Sequence, residues 1–403
     1  MSMIPKILRA MAVALLLPLL FTACTTPPPA PPKSELEQDV DGMLQRMLQD
    51  WRERRSTPMF LARALPSSLV IGEVADVPQG VPGEGYALPQ TLASVRVRQF
   101  ARQYLEANAP DVWIVRADAG APSLLLSAQL EDSHKPDGSR YLRLMLLDAK
   151  TGEVLTRAQT YVRSTVADAF PSTFEAESPV LANQTAERSR RAWKMFGNPI
   201  GAKADSTALV SAAAAALVAQ GQEAYLDGNY NGALSLFQRA SIEPEANVIR
   251  VYNGQYLSYL RLGDHAGAMK AFERLVSEGL AARSLGVKLL FTPGETEFLA
   301  DPGIRSIYAD WLRVIAAKSA AGTSCLNVVG HTSHTGLETF NKELSLARSE
   351  RVRDLLKADV PALTSRLSVI GKGWSENIVG SGTDDARDAI DRRVEFRVLN
   401  CAR

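Results

Sequence analysis

The sequence predicts an α+β multidomain protein: an N-terminal α/β domain, a helical pair, and a C-terminal α/β sandwich with a mixed sheet. Strand-like and helix-like apolar patterns alternate near both ends of the chain, whereas the stretch between them repeats one helical pattern. The length of 403 residues also exceeds that of one ordinary domain. We therefore divide the chain into three folded parts and the segments that connect them.

Residues 1–23 predict a secretory signal sequence. Lys6 and Arg9 form a positive start, and the apolar run 10–21 is too short to be a comfortable membrane span. LFTAC resembles the lipobox of bacterial lipoproteins, which implies that Cys24 is lipidated and becomes the mature N-terminus. Thr25 then implies sorting to the outer membrane, because an aspartate there is the usual inner-membrane signal. The alternative is an ordinary cleaved signal followed by a free cysteine.

Residues 24–36 predict a tether. Five of the six residues 27–32 are prolines, and such a run favours extended polyproline II. At ~3.1 Å per residue, the tether would hold the folded part ~25 Å from the acyl chains.

Residues 37–165 predict an α/β domain. Helical spacing between 35 and 64 is marked by Leu36, Val40, Met43, Leu44, Met47, Leu48 and Trp51. The further elements are a strand at 67–77, a helix at 89–108, strands at 111–117 and 123–132, and a hairpin at 140–162. Their order and the hairpin LRLMLLDAKTGEVL resemble the domain shared by CsgG-type curli secretion lipoproteins and LpoB-type activators of penicillin-binding proteins.

Residues 166–206 are of mixed polar composition and predict a connector, and residues 207–283 predict paired helices. One spacing occurs twice, 35 positions apart, in the residues Gly228, Ala233 and Phe237 and then Gly263, Ala268 and Phe272. Small alanines let paired helices approach, and the phenylalanines fill the space between pairs. This layout resembles the tetratricopeptide repeat. Two uses remain open: a groove that docks an unidentified periplasmic protein, or a helical spacer.

Residues 284–403 predict the order β-α-β-α-β-loop-β. The second helix carries the pattern Asn341, Leu344, Ser345, Arg348, Ser349 and Val352. With GKGWSENIV and DRRVEF beyond it, this pattern resembles the OmpA-like peptidoglycan-associated domain. The core contacts of this helix are predicted to come from Phe340, Leu344, Val352 and Leu355.

In that family, the junction between the second strand and the second helix binds the diaminopimelate residue of peptidoglycan stem peptides. The resemblance implies that Arg348 takes a ligand carboxylate as a two-pronged partner. The family aspartate that takes the ammonium falls on Ser333, so the acid is predicted to be missing and binding to be weak. The peptidoglycan-binding residues implied are Thr332, Ser333, Asn341, Leu344, Arg348 and Arg393.

The sequence predicts no catalytic, metal or cofactor site. A zinc-dependent cell-wall hydrolase using His331 and His334 is a rival of another class, but their spacing does not suit a shared metal. Asp384, Asp385 and Asp388 lack the spacing of a calcium loop and are predicted to be solvated or paired with arginine.

Cys325 and Cys401 are the cysteines that remain once Cys24 is lipidated. Two cysteines in an oxidising compartment indicate one disulfide. In the OmpA-like fold the strands beside them are antiparallel neighbours, which would bring the two cysteines together. Lys+Arg 45 against Asp+Glu 44 lacks the basic excess of a polyanion binder, so nucleic acid is not an expected partner.

These features predict a non-enzymatic outer-membrane lipoprotein that contacts peptidoglycan and acts as a periplasmic scaffold or anchor for an envelope complex. Two alternatives remain open. One is a regulatory activator of peptidoglycan synthases, and the other is an accessory subunit of a secretion, pilus or flagellar machine.

Overall fold

The structure, a computed structural model, describes residues 32–77, 90–114, 122–132, 135, 137, 139–181, 195–204, 212–243, 248–283, 285–299, 302–385 and 387–401. The predicted signal sequence, Cys24 and most of the tether lie outside these residues, as does part of the connector. Residues 34–403 form one compact unit. Within the described ranges, no helix is both long enough and apolar enough to cross a membrane.

The N-terminal domain is built on a five-stranded sheet. Its elements are α1 (Glu35–Arg54), α2 (Met59–Ala64), β1 (Ser67–Val77), α3 (Leu92–Asn108), β2 (Val112–Ile114), β3 (Leu124–Asp132), β4 (Arg140–Asp148) and β5 (Val154–Val162). The strand order is β2-β1-β3-β4-β5. β1 runs parallel to β2 and β3, and the remaining pairs, including the predicted hairpin β4–β5, are antiparallel.

Both faces of this sheet are covered. On one face α1 buries all seven of its predicted apolar residues, of which Trp51 is the most exposed at 6%. On the other face Val70 and Met145 pack with Phe196 and with Ala216 of the helical region. The sheet is therefore a shared wall between the α/β domain and the helices that follow it.

A short helix of the connector, α4 (Thr173–Glu177), precedes the region of the predicted repeats. The described residues of that region form four helices, α5 (Ala212–Leu226), α6 (Tyr230–Ala240), α7 (Val248–Arg261) and α8 (His265–Ala281). The side chains predicted to fill the interior are fully buried: Ala233, Phe237, Ala268 and Phe272. The turns before α6 and α8 are alike, because Gly228 and Gly263 both have φ of 76°, a conformation that glycine adopts readily.

The connector packs against these helices. Phe174 is fully buried with its ring centroid 5.4 Å from that of Tyr225 on α5. The Glu175 carboxylate accepts a hydrogen bond of 3.0 Å from Arg250 on α7. Since the connector covers this surface of α5 and α7, a protein partner of the helical region would have to bind a different surface.

The helical region and the C-terminal domain share one apolar core. Trp311 stacks on Phe272 with ring centroids 5.3 Å apart, and its Nε1 donates a hydrogen bond of 2.9 Å to the hydroxyl of Tyr256. Val180 of the connector pairs with Val287 just before the C-terminal sheet. Packing therefore sets the position of the C-terminal domain relative to the helices.

The C-terminal domain is a four-stranded mixed sheet with two helices. Its elements are β6 (Lys288–Leu290), α9 (Pro302–Ala321), β7 (Ser324–Gly330), α10 (Glu338–Asp359), β8 (Leu367–Gly371) and β9 (Arg393–Asn400). The strand order is β6-β9-β7-β8, with β7 parallel to β8 and antiparallel to β9. This confirms the mixed-sheet prediction for this part of the chain.

α10 approaches the sheet closely at two glycines, Gly330 and Gly371. A Cβ atom on Gly330 would lie 2.0 Å from the backbone oxygen of Ser345, so no larger residue fits there without displacing the helix. The prediction that Phe340 and Leu355 supply core contacts is wrong, because they are 52% and 37% exposed. The close approach leaves room for small buried residues on the inner face of the helix, such as Ser345.

Cys325 and Cys401 form a disulfide in the structure, with their Cα atoms 5.0 Å apart. The antiparallel register explains why they meet. Ser324 lies opposite Asn400 and Cys325 opposite Leu399, so the start of β7 lies beside the end of β9.

Candidate functional site

A cavity of about 230 Å³ lies where β7 ends and α10 begins. It is lined by Gly294, Thr332, Ser333, Thr335, Gly336, Phe340, Asn341, Leu344, Arg348, Asp384 and Arg392. Five of the six predicted binding residues are among them, and Arg393 is not. Asp384 and Arg392 are cavity residues that the sequence did not single out for binding.

Arg348 is fully buried, lines this cavity and carries a positive charge. Its Nε donates to the backbone oxygen of Glu295 at 2.8 Å, Nη2 to that of Thr292 at 2.9 Å, and Nη1 to that of His331 at 3.1 Å. Burial, and next the nearby charge of Arg392, lower the pKa of Arg348 to about 10. A guanidinium has five N–H donors, and described backbone oxygens accept from three of them.

The cavity contains a carboxylate after all. Ser333 Oγ donates to Asp384 Oδ1 at 2.7 Å, and Arg392 Nη1 donates to the same oxygen at 2.5 Å. The expectation that the site lacks an acid is therefore wrong. An aspartate 51 positions further along the chain supplies the charge beside Ser333.

The loop that carries Asp384 is held by a second aspartate. Asp388 is fully buried and accepts hydrogen bonds from the backbone N–H of Asp384 at 2.8 Å and from that of Ser381 at 2.9 Å. Asp384 has φ of 56°, which is uncommon for a residue other than glycine. Asp385, by contrast, pairs with Arg387 at 2.7 Å, the arginine pairing predicted for this cluster.

Two buried polar groups of the cavity have no hydrogen-bond partner among the described residues. They are the hydroxyl of Thr332 and Nε of Arg392, in side chains that are almost completely buried. A buried donor or acceptor without a partner costs about 1–3 kcal/mol, so such groups are rare unless a ligand or water completes them. Both residues line the cavity.

Asn341 and Leu344 have different roles in the site. Asn341 Nδ2 donates to the backbone oxygens of Thr335 at 2.7 Å and of Leu337 at 2.9 Å. It therefore shapes the turn between β7 and α10. Leu344, with Phe340, forms the apolar part of the lining and extends into a second depression of about 480 Å³.

Arg393 belongs to a separate buried network, and the prediction that it binds peptidoglycan is not supported by its position. Its Nε donates to Glu395 Oε2 at 2.9 Å, within β9. His331 is fully buried beside them, with Nε2 3.5 Å from Glu395 Oε1. Burial, and next the charge of Arg393, lower the pKa of His331 to about 4, so His331 is neutral at physiological pH.

This network is not a convincing metal site. His331, Glu376 and Glu395 place their ligand atoms within 4.8 Å of one another. However, Glu376 already pairs with Lys372 at 2.8 Å, and Glu395 pairs with Arg393, so a cation would have to displace existing charges. The second histidine of the zinc hypothesis, His334, is exposed and packs on Trp374 at 4.7 Å.

Part of the C-terminal domain matches a known protein family. Residues 290–391 match the model of the OmpA family. Outer membrane porin F of Pseudomonas fluorescens is 37% identical over 73 residues, which is 18% of this chain and 22% of that protein. Outer membrane porin F of Pseudomonas aeruginosa is 32% identical over 91 residues, which is 23% of this chain and 26% of that protein. The chain thus spans about a quarter of the length of these curated relatives.

Solved structures resemble part of the chain. The peptidoglycan-associated lipoprotein from Burkholderia pseudomallei is 20% identical, over 28% of this chain and 89% of that one, with a TM-score of 0.24. The cell wall anchor of the T6SS from Pseudomonas aeruginosa is 22% identical, over 32% of this chain and 97% of that one, with a TM-score of 0.25. On the family match, residues 290–391 form an OmpA domain.

Proposed function

We propose that this protein is an outer-membrane lipoprotein whose OmpA domain binds the diaminopimelate of peptidoglycan stem peptides, so that it anchors a periplasmic envelope complex to the cell wall. The family match and the relatives named outer membrane porin F support an envelope protein with a peptidoglycan contact. The α/β domain and the helices pack in one unit with the OmpA domain. They would serve as the scaffold that the complex binds.

The observation that carries this proposal is the set of charges around the cavity. Arg348 and Arg392 can receive a carboxylate, and Asp384 can receive an ammonium. The free end of diaminopimelate carries both groups on one carbon. A cavity of about 230 Å³ is large enough for such an end and too small for a whole stem peptide, which would continue over Phe340 and Leu344.

A binding role fits these groups better than a catalytic one. His331 is buried in its own charge network and His334 packs on Trp374, so the two imidazoles do not form a shared site. Neither is among the residues that line the cavity. We therefore propose that the site recognises a ligand without changing it.

The substitution Thr332→Val tests the proposed site. We expect the affinity of the full-length protein for purified sacculi to fall about 5-fold, because one neutral hydrogen bond of ~1 kcal/mol is lost. The melting temperature should stay the same or rise slightly, because no residue that the structure describes forms a hydrogen bond with the hydroxyl. Co-sedimentation with sacculi and thermal unfolding measure the two quantities.

Thr364→Val is the matched control, since Thr364 lies outside the cavity and donates to the backbone oxygen of Pro361 at 2.8 Å. It should leave sacculus binding unchanged. Wild-type protein that does not co-sediment with sacculi would contradict the proposed function, and unchanged binding by Thr332→Val would exclude Thr332 from the site.

The lipid anchor is tested at Cys24. Because Cys24 ends a short apolar run with small residues before it, we expect a fatty-acid probe to label the wild type and not Cys24→Ser. Cells grown with an alkyne fatty acid, followed by purification and detection of the probe, give the readout. Equal labelling of the two proteins would remove the anchor from the proposal.

A further inference from the structure

Asp384 has a carboxylate oxygen available to a ligand. Both the Ser333 hydroxyl and Arg392 Nη1 donate to Oδ1. No hydrogen bond from the residues that the structure describes reaches Oδ2. The side chain is 30% exposed and lines the cavity, unlike its partner Arg392, of which 6% is exposed.

We propose that Asp384 is the residue that receives the ligand ammonium, in the role that the family pattern assigns to the position of Ser333. The inference rests on the proposed function and specifies the ligand more narrowly. The bound group must carry a free ammonium beside a free carboxylate, because Asp384 lies next to the guanidinium of Arg392 and near that of Arg348. An acylated amine has lost both its charge and two of its hydrogen-bond donors.

The loop holds Asp384 in place before a ligand arrives. Asp391, at the C-terminal side of the loop, accepts hydrogen bonds from the backbone N–H groups of Ile378 at 2.6 Å and Gly380 at 2.8 Å. Asp388 holds the backbone of Asp384 itself at 2.8 Å. An acid fixed at both ends of its loop loses little conformational freedom when a ligand binds, which favours affinity.

The position of Asp384 reverses the effect on ligand affinity that is expected of the substitution Ser333→Asp, which restores the aspartate of the family pattern. If the site lacked an acid, Ser333→Asp would strengthen binding. Because Ser333 Oγ is 2.7 Å from Asp384 Oδ1, the new carboxylate would instead meet an existing one. Two carboxylates so close cannot both be ionised easily, so the pair would repel and the loop would shift.

The test compares four variants of the full-length protein in calorimetric titrations with a purified disaccharide tripeptide that ends in diaminopimelate. We expect Asp384→Asn to lower the affinity at least about 10-fold, since a charge-assisted hydrogen bond is lost. Ser333→Asp should also weaken binding. The double variant Ser333→Asp/Asp384→Ser moves the acid to the strand end and should recover most of the affinity. Asp385→Asn is the control, because its carboxylate pairs with Arg387 and does not line the cavity.

The same peptide with its amine acetylated completes the experiment. The wild type should bind it at least about 10-fold more weakly than the free-amine peptide. Recovery in the double variant cannot come from a damaged loop, so it separates recognition from folding. If the wild type binds the tripeptide but Asp384→Asn or acetylation changes nothing, the role of Asp384 is refuted and the proposed function stands. If the wild type does not bind the tripeptide, both are refuted.

Discussion

Replacing Arg348 by alanine is expected to abolish retention on sacculi and to lower the free energy of unfolding by about 3 kcal/mol or more. The binding loss follows from removing a buried cation that lines the cavity. The stability loss follows from the backbone oxygens of Thr292, Glu295 and His331, which would lose their donors at two partly buried positions and one buried position.

Arg351→Ala is the matched control for Arg348→Ala. Arg351 lies one turn further along α10, is 35% exposed and pairs with Glu297 at the surface. Such a pair contributes about 0–1 kcal/mol, so the free energy of unfolding and sacculus binding should change little. Urea unfolding and co-sedimentation below the melting temperature of each variant are the measurements. An Arg348→Ala protein as stable and as well retained as Arg351→Ala would contradict both assigned roles.

Removing the disulfide is expected to lower the free energy of unfolding by about 4 kcal/mol, from the chain-entropy estimate for a loop of this length. The bond between Cys325 and Cys401 closes a sequence separation of 76 and joins the start of β7 to the end of β9. The variant Cys325→Ser/Cys401→Ser should therefore unfold at a lower urea concentration than the wild type. Cys24→Ser is the control, since it leaves this bond intact.

Thiol titration of the denatured, unreduced protein checks the bond directly. No reactive thiol is expected from these two cysteines before reduction, and two are expected afterwards. Two thiols before reduction would show that the bond is absent, and the stability difference between the variants should then vanish as well.

Local sequence patterns were sufficient for much of the architecture. The apolar spacing of α1 is buried as predicted, and the four alanines and phenylalanines of the helical region are fully buried. These predictions hold because a helix or strand buries the face on which its apolar residues recur, whatever it packs against. Arg348 and Asn341, two residues of the pattern on α10, line one cavity.

The same local patterns failed where neighbouring residues face different ways. Arg392 lines the cavity, whereas Arg393, the next residue and the one predicted to bind, points into the network of Glu395 and His331. Successive side chains of an extended segment lie on opposite sides. Two adjacent arginines in a sequence do not reveal which of them faces the site.

The sequence by itself determined most of the helices and strands, because apolar spacing along the chain decides which face of an element is buried. It also predicted the cysteine pair from the number of cysteines, and the place of Arg348 from the family pattern on α10. The tertiary structure alone decided that the site has an acid. Asp384 forms a hydrogen bond with Ser333, although the two residues are 51 positions apart in the sequence. Backbone hydrogen bonds to Asp388 and Asp391 hold the loop that brings Asp384 there. A sequence motif shows which residue lies at the end of the strand. It cannot show that a distant loop places a charged residue beside it.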